Sequence, residues 1–310
     1  METQRLDDLP ASRSPLRLVL ALGPPCLLLG WVYLPVLSNL ASSWRHDPRY
    51  SHGYFVPLFA AYLLWSRRAL RPGAAPGANW WGLPVLLAGL ALDAAGTYLY
   101  LDWFNSLSLL PCLAGITLLL AGWPGLRLSW SAIAFLAFMV PLPFRLEIAL
   151  AHPLQRIGTV ASTYALQTLG FSAFSEGNVV RMGDIRLGVV EACSGLSMLV
   201  IFFALSTAVA IVVRRPPWER LILVASAVPI ALACNITRIT VTGVLYKVAG
   251  EEWANFVFHD LAGWLMMPLA LGMLWVEMKT LAWVVVPRKD EAAPPALFGL
   301  AMPTGARGRA

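Results

Sequence analysis

Long apolar segments, each about as long as a membrane-spanning helix, recur along the chain of 310 residues and constrain its fold more than any other feature. A helix needs about 20 mostly apolar residues to cross a bilayer. Only 13% of the residues are Asp, Glu, Lys or Arg, against about 25% in soluble proteins. Because so few charges cannot cover a soluble globule, the sequence predicts an all-α polytopic integral membrane protein and excludes a cytosolic enzyme, a disordered chain and a disulfide-stapled secreted domain. We predict about eight transmembrane helices, over residues 18–40, 52–66, 80–99, 104–122, 128–143, 194–213, 221–245 and 260–284.

The net charge of +6 is interpreted as a topology signal rather than as a nucleic-acid-binding feature. Lys and Arg concentrate in the cytoplasmic loops of membrane proteins, and a cytoplasmic N-terminus puts most of the twenty-three Lys and Arg residues on that side. We therefore expect a multi-pass membrane protein that contacts lipid and no nucleic acid, with both termini cytoplasmic. Residues 1–17 would form a cytoplasmic N-terminal segment, 18–286 a single transmembrane catalytic domain and 287–310 a flexible cytoplasmic tail.

The longest stretch predicted not to cross the membrane, about 144–192, lies on the outer side in this topology. Its first part, 144–171, mixes apolar residues with charged ones such as Arg145, which predicts a helix lying along the membrane interface. Its second part, 178–190, alternates polar and apolar side chains around Gly183-Asp184, which predicts two short strands in a hairpin. We expect an extracytoplasmic insertion made of an interfacial helix and a small β-hairpin before the sixth span.

Three reactive side chains fall at one depth, near the outer ends of the last three spans: Cys193, Arg238 and His259. Ionisable residues within spans are costly and usually functional. A thiol with a lowered pKa is a strong nucleophile, imidazole exchanges protons near neutral pH, and guanidinium binds a carboxylate or stabilises an oxyanion. This combination predicts acyl transfer through a thioester on Cys193, with His259 as general acid and base and Arg238 as oxyanion or substrate stabiliser.

Four further residues are candidates for substrate binding or for support of this site. Asn235 lies one helical turn before the arginine of the set, on the same face of its helix. Glu191 and Asp260 flank the cysteine and the histidine and would orient the imidazole or pair with the guanidinium. His52, in the polar cluster 45–53, is a rival general base or a substrate contact. The four cysteines follow no metal-ligand or CxxC spacing, so neither a metal nor a cofactor is expected.

Each candidate also has a structural alternative. Cys193 could be a small packing residue, Arg238 could reach lipid phosphates, and His259 could bind water or headgroups at the interface. Asn235 could bridge two helices, and the flanking acidic residues and the early histidine could be ordinary polar loop residues. Asp93, inside the third predicted span, could hydrogen-bond a neighbouring helix or line a cavity.

Several motifs, in this order and over about 45 to 270, resemble the exosortase/archaeosortase family, and the bacterial exosortases in particular. They are Tyr50-Ser51-His52-Gly53 followed by Pro57, Pro141-Leu-Pro143, Pro153-Leu-Gln155, Glu191-Ala-Cys-Ser-Gly-Leu196, Asn235-Ile-Thr-Arg238-Ile and Phe258-His259-Asp260-Leu-Ala-Gly263-Trp.

The resemblance implies a bacterial inner-membrane cysteine transpeptidase or peptidase, analogous to sortase in chemistry but not in fold, whose active site faces the extracytoplasmic side. Its substrates would be exported proteins with a C-terminal sorting signal: a Pro-Glu-Pro-like motif, a transmembrane helix and a basic tail. They would be cleaved through a thioester and transferred to a nucleophilic acceptor at the cell surface, in connection with exopolysaccharide production. The resemblance likewise implies that Cys193 is the nucleophile and that Arg238 and His259 complete the site.

Two other kinds of protein stay open at this level. A polytopic transporter or lipid-handling protein would use Asp93, Arg238 and His259 along a path, and a noncatalytic component of polysaccharide assembly would use none of them. A transporter of this kind is expected to carry an inverted repeat and polar residues through the bilayer depth. Because the polar cluster is confined to the outer side of the predicted topology, the sequence favours the enzyme.

Overall fold

The computed structural model describes residues 27–67, 79–189, 195–213, 215–250 and 262–284. The chain divides into two compact units, Met1–His152 and Pro153–Ala310. Helices dominate the described parts of both, as the predicted all-α membrane class requires.

The first unit is helical through nearly all of its described residues. Its elements are α1 (Leu34–His46), a 3-10 helix (Pro48–Tyr54), α2 (Phe55–Ser66), α3 (Gly82–Leu99), α4 (Asp102–Phe135) and a second 3-10 helix (Leu136–Met139). Two predicted boundaries shift. The first helix continues to His46, past its predicted end at 40, and α2 begins at Phe55 rather than at 52 because the 3-10 helix precedes it. His52 therefore lies ahead of α2 rather than inside it.

Helices α3 and α4 pack closely because small residues stand where they meet. A Cβ at Gly89 would lie 2.6 Å from Sγ of Cys112, and one at Gly115 would lie 2.7 Å from the backbone nitrogen of Leu86. Small residues let membrane helices approach until their backbones touch, and van der Waals packing then stabilises the pair. The bounds of α3 agree with the predicted span 80–99 to within two residues at its start.

The predicted spans 104–122 and 128–143 correspond to two helical segments of α4 that meet at a kink. Helix α4 contains a break at Gly122, whose φ of 64° and ψ of −166° are not helical, and Pro124 follows. Glycine reaches this backbone conformation without the steric cost that a Cβ would add. The predicted boundary at 122 therefore coincides with a break in the helix, but the backbone is helical on both sides of it and no loop intervenes.

The second unit combines helices with a small sheet. Its elements are α5 (Phe144–Thr168, which begins in the first unit), β1 (Phe174–Glu176), β2 (Val179–Met182), β3 (Ile185–Gly188), α6 (Leu196–Val212), α7 (Pro217–Ala225), α8 (Ala227–Val248) and α9 (Ala262–Val284). Helix α5 fills most of the stretch 144–171 that is predicted to be helical. The predicted seventh span, 221–245, starts within α7 and continues through α8.

The three strands form an antiparallel sheet in the order β1-β2-β3. Strands β2 and β3 pair on either side of Gly183-Asp184, where the sequence predicts two strands, and Gly183 has a positive φ of 63°. Strand β1, which pairs with β2, was not predicted from the sequence. Val180 and Met182 of β2 pack into a core cluster with residues of α5 and α8. This contact fixes the sheet against the two helices on which the candidate site depends.

Three helices within the described residues are long and apolar enough to cross a membrane: Gly82–Leu99, Asp102–Met139 and Pro217–Val248. Leu196–Val212 is a shorter apolar helix. These elements support an integral membrane protein, and the number of about eight crossings stays a prediction.

Candidate functional site

The structure describes three of the seven predicted site residues. Asn235 and Arg238 lie on α8 in the second unit, and His52 lies in the first 3-10 helix of the first unit. The other four, Cys193, His259, Glu191 and Asp260, lie outside the described residues.

Asn235 and Arg238 stand one turn apart on α8, as their spacing predicts. Residues three apart on a helix are neighbours on its surface. Asn235 is buried, with 1% of its surface exposed, and Arg238 is half-buried. Burying an amide in an apolar protein costs free energy unless its polar atoms are satisfied, so the contacts of the Asn235 side chain matter for the stability of this unit.

Two glycines form the surroundings of the Asn235 side chain. A Cβ at Gly158 of α5 would lie 3.1 Å from its Nδ2 atom, and a Cβ at Gly195 would lie 3.2 Å from the same atom. Both distances are shorter than ordinary van der Waals contacts, so neither position accommodates a larger residue without movement of the amide. The Asn235 amide is thus held between α5 and the start of α6.

Gly195 connects this contact to the predicted nucleophile. It is the N-cap of α6, its φ of 62° lies in the left-handed region, and it follows residues 190–194, which include Cys193. Non-glycine residues rarely adopt this backbone conformation. Asn235 therefore touches the chain two residues after Cys193, and Arg238 is one turn further along the same helix.

Val189, which precedes residues 190–194 (we call these residues the Cys193 segment), is also held in place. The backbone N–H of Val189 donates a hydrogen bond of 2.9 Å to the carbonyl of Asn178, in the turn between β1 and β2. The Asn178 side chain donates through Nδ2 to Oε1 of Gln155 on α5, at 3.1 Å. The sequence alone does not mark Asn178 or Gln155 as site residues, although Gln155 belongs to the motif Pro153-Leu-Gln155 that contributes to the resemblance.

Helix α5 reverses the polarity pattern of a soluble helix. Its buried residues include Gln155, Thr159 and Ser162, whereas Val160 and Tyr164 are 55% and 69% exposed. An exposed apolar face is expected where lipid is the solvent. The Thr159 hydroxyl donates to the backbone carbonyl of Gln155 at 2.8 Å, and the Ser162 hydroxyl donates to the carbonyl of Ile236 on α8 at 3.4 Å. The polar face of α5 therefore points into the unit, toward α8.

In the first unit, the motif containing His52 holds the chain at residues 138–142. Nε2 of His52 donates to the Phe138 carbonyl at 3.1 Å, and the indole N–H of Trp44 donates to the Met139 carbonyl at 2.9 Å. The backbone N–H of Leu142 donates to the Tyr50 hydroxyl at 3.2 Å. Two motifs of the resemblance, Tyr50-Ser51-His52-Gly53 and Pro141-Leu-Pro143, are therefore neighbours in the structure.

The environment of His52 fits a structural role in this contact. Burial lowers the pKa of His52, and hydrogen bonds with the backbone of Phe138 and Arg49 oppose that effect only in part. The imidazole is therefore neutral at neutral pH, and its Nε2 proton is already donated within the unit. His52 belongs to the first unit, whereas Asn235 and Arg238 belong to the second.

Arg49 joins the same motif to the start of α5. It pairs with Asp47 at 2.6 Å and also with Glu147. Burial alone would raise the pKa of the Asp47 carboxyl, but hydrogen bonds from the side chain and backbone of Arg49 outweigh it and lower that pKa overall. The charges of Asp47, Arg49 and Glu147 thus pair with one another.

Asp93, which sequence analysis left between two roles, hydrogen-bonds the neighbouring helix. Its Oδ1 accepts from Nδ2 of Asn105 at 3.0 Å and from the Ser108 hydroxyl at 3.5 Å, both on α4. The Ser108 hydroxyl also lies 2.8 Å from the Tyr33 hydroxyl. These contacts explain Asp93 as part of a buried polar link between α3 and α4.

Two of the four cysteines are described, and both are buried free thiols. Cys234, next to Asn235, is fully buried in a hydrophobic cluster, and its thiol lies 3.7 Å from Sδ of Met273 on α9. Cys112 lies 3.2 Å from the Tyr33 hydroxyl. Within the described ranges, His, Cys, Asp and Glu form no group of three or more that could hold a metal ion.

The family model described as transmembrane exosortase matches residues 44–276, which is most of the chain. No curated protein and no solved structure matches it.

Proposed function

The chain belongs to the transmembrane exosortase family, and from this premise we propose that it is a membrane-embedded cysteine transpeptidase with Cys193 as nucleophile, Arg238 as oxyanion stabiliser and His259 as general acid and base. Its substrates are exported proteins with a C-terminal sorting signal: a Pro-Glu-Pro-like motif, a transmembrane helix and a basic tail. The processed protein passes to an acceptor nucleophile at the cell surface, in connection with exopolysaccharide production.

The observation that supports this proposal most directly is the contact between α8 and the end of the Cys193 segment. Asn235 Nδ2 lies 3.2 Å from the Cβ position of Gly195, two residues after Cys193. Arg238 follows Asn235 by one turn of α8. The amide contacts the chain two residues after Cys193 and Arg238 follows on the next turn of the same helix, which supports a role for the guanidinium close to the proposed nucleophile.

The proposed reaction proceeds in two acyl transfers. The Cys193 thiolate attacks the carbonyl carbon of the scissile peptide bond, and the tetrahedral oxyanion is stabilised by Arg238. The carbon–nitrogen bond then breaks as His259 gives its proton to the leaving amine, which leaves a thioester. An amine or water attacks the thioester and loses a proton to His259, and the cysteine leaves as thiolate.

Supporting roles follow from charge and position in sequence. Glu191 and Asp260 carry carboxylates beside Cys193 and His259. A carboxylate that accepts a hydrogen bond from an imidazole holds its tautomer and stabilises the imidazolium, which is the role proposed for one of them. Asn235 supports the site by its contact with Gly195.

The experiment that tests the proposal is substrate processing by Cys193→Ala in membranes, with a tagged exported protein that carries the sorting signal. We expect processing to stop while the amount of extractable protein is unchanged. Cys234→Ala is the matched control, because it removes a buried thiol elsewhere in the same unit and should keep processing. Processing at the normal rate in Cys193→Ala would refute the proposed function.

A further inference from the structure

Val189 and Gly195, on either side of the Cys193 segment, are both linked to one face of one helix. Before the segment, Val189 bonds the carbonyl of Asn178, whose side chain bonds Gln155. After the segment, Gly195 packs against the Asn235 amide, which in turn packs against Gly158. Gln155 and Gly158 are three residues apart on α5, so they are neighbours on its surface.

The first support is a buried amide–amide hydrogen bond. Gln155 is 5% exposed, and its Oε1 accepts from Nδ2 of Asn178 at 3.1 Å. Loss of the partner would leave a buried amide unsatisfied and destabilise the fold, so the bond ties the turn to α5. Because the Asn178 carbonyl also accepts from the N–H of Val189, the same turn fixes the last described residue before the Cys193 segment.

The second support depends on the absence of a side chain. A Cβ at Gly158 would come within 3.1 Å of Asn235 Nδ2 and 3.6 Å of Cδ1 of Ile239. Any larger residue at 158 therefore pushes the Asn235 amide toward Gly195, which is equally close to it on the other side. Because residue 158 is a glycine, the Asn235 amide has room to contact Gly195 without displacing that residue.

We propose that Gln155 and Gly158 are positioning residues, through which α5 sets the placement of the Cys193 segment relative to α8. This inference rests on the proposed function, in which Cys193 attacks the substrate and Arg238 stabilises the oxyanion. A displacement of about 1 Å between reacting groups lowers a rate by about 100-fold. A fixed support at both ends of a short segment prevents such a displacement.

The hydrogen bond is tested by exchanging amides for carboxylates. Gln155→Glu keeps an acceptor for Asn178, and Asn178→Asp keeps an acceptor to which Gln155 donates after its amide turns over. Each single variant therefore retains the bond. The double variant places two carboxyl groups face to face, and when it is assayed at a pH high enough to remove the proton that such a pair can share, neither donates and the bond is lost. We expect near-normal processing in both single variants and a loss of about tenfold or more in the double variant.

The packing support is tested by Gly158→Ala against Gly188→Ala. A Cβ at Gly188 would meet no atom within 4 Å, although Gly188 is closer to Cys193 in sequence. We expect Gly158→Ala to lower processing about tenfold or more and Gly188→Ala to leave it within about twofold of the unchanged protein.

A second readout separates positioning from general destabilisation. The rate at which iodoacetamide alkylates Cys193, measured by mass spectrometry against pH in membranes, reports how much of the thiol is ionised. A thiol ionises less readily when cations near it move away. We therefore expect the pH at which alkylation is half-maximal, the alkylation midpoint, to be higher in Gly158→Ala and in the double variant. A merely structural role would reduce the amount of folded protein without moving the midpoint.

Unchanged processing and an unchanged alkylation midpoint in the double variant and in Gly158→Ala would overturn the proposal. If Gly158→Ala does not fold, the single and double variants at Gln155 and Asn178 test the proposal without it. Failure of the proposed function can be told apart from failure of this inference. If the proposed function is wrong, Cys193→Ala processes substrate normally. The alkylation midpoint, in contrast, reports the positioning of Cys193 whether or not it is the nucleophile.

Discussion

The Asn235 side-chain amide lies against Gly195, with Nδ2 3.2 Å from the position that a Cβ at 195 would occupy. Asn235 belongs to a long apolar helix, and Gly195 begins the helix that follows Cys193. This contact links the Asn-x-x-Arg motif to the cysteine motif, which are forty residues apart in sequence.

Removal of the Asn235 amide should impair the site without unfolding the protein. Asn235→Ala leaves space beside Gly158 and Gly195, so the Cys193 segment loses one support. We expect processing to fall about tenfold or more at normal protein levels. Thr237→Ala, on the exposed side of the same helix turn, is the control and should process normally. Equal activity of the two variants would contradict a supporting role for Asn235.

Replacement of Arg238 by lysine should be nearly as damaging as its removal. Lysine keeps the charge but lacks the planar fork of donors that arginine offers to a carbonyl or carboxylate oxygen. We expect Arg238→Lys and Arg238→Ala to lower kcat about 100-fold with a smaller change in KM. Arg220→Lys, at an exposed arginine in the same unit, is the control. Full activity in Arg238→Lys would show that only charge matters at this position.

Tyr50→Phe should destabilise the first unit. Tyr50 is 5% exposed and its hydroxyl accepts the N–H of Leu142, so removal of the hydroxyl leaves a partly buried donor without its partner, at a cost of about 1 kcal/mol. Thermal unfolding in detergent should show a lower midpoint. Tyr54→Phe is the matched control, because that hydroxyl donates to the Ala41 carbonyl from a side chain that is 45% exposed. A larger effect at Tyr54 would contradict this interpretation.

The ion pair between Asp47 and Arg49 should make stability depend on acidic pH. The pKa of Asp47 in the folded protein lies below its usual 3.8, because the hydrogen bonds from Arg49 outweigh burial. A lowered carboxyl pKa adds stability that is complete well above pH 3.8 and is lost as pH falls through the folded-state pKa. Part of the decrease in the unfolding midpoint with acidification should therefore disappear in Asp47→Asn.

The control for the unfolding measurements at acidic pH is Asp184→Asn, which removes an exposed carboxyl from the β2–β3 turn. Its unfolding midpoint should follow that of the unchanged protein at every pH. If Asp47→Asn does the same, the pair contributes nothing to acid stability.

Patterns within one element were predictable from the sequence, whereas contacts between elements were not. The apolar length of α3 predicted its bounds, and Gly183-Asp184 marked the turn between β2 and β3, where Gly183 has the positive φ that this turn requires. The three-residue strand β1, Phe174–Glu176, is too short for alternation to reveal it.

The same distinction, between patterns within one element and contacts between elements, applies to the candidate site. The i, i+3 spacing predicted that Asn235 and Arg238 share a helix face. The roles of Gln155 and Gly158 depend on how α5 meets the β1–β2 turn and α8, which no local pattern specifies. Similarly, the sequence singled out His52 for its chemistry, but its hydrogen bond to the Phe138 carbonyl spans 86 residues and required the fold.

The most direct test of the account is to look for the covalent intermediate on Cys193. Membranes that contain the protein and a tagged substrate would be quenched in acid, and the Cys193 peptide analysed by mass spectrometry. We predict an adduct with the mass of the substrate fragment N-terminal to the cut, removed by neutral hydroxylamine and absent in Cys193→Ala. Cleaved substrate that accumulates without any adduct on Cys193, together with undiminished processing by Cys193→Ala, would contradict the account.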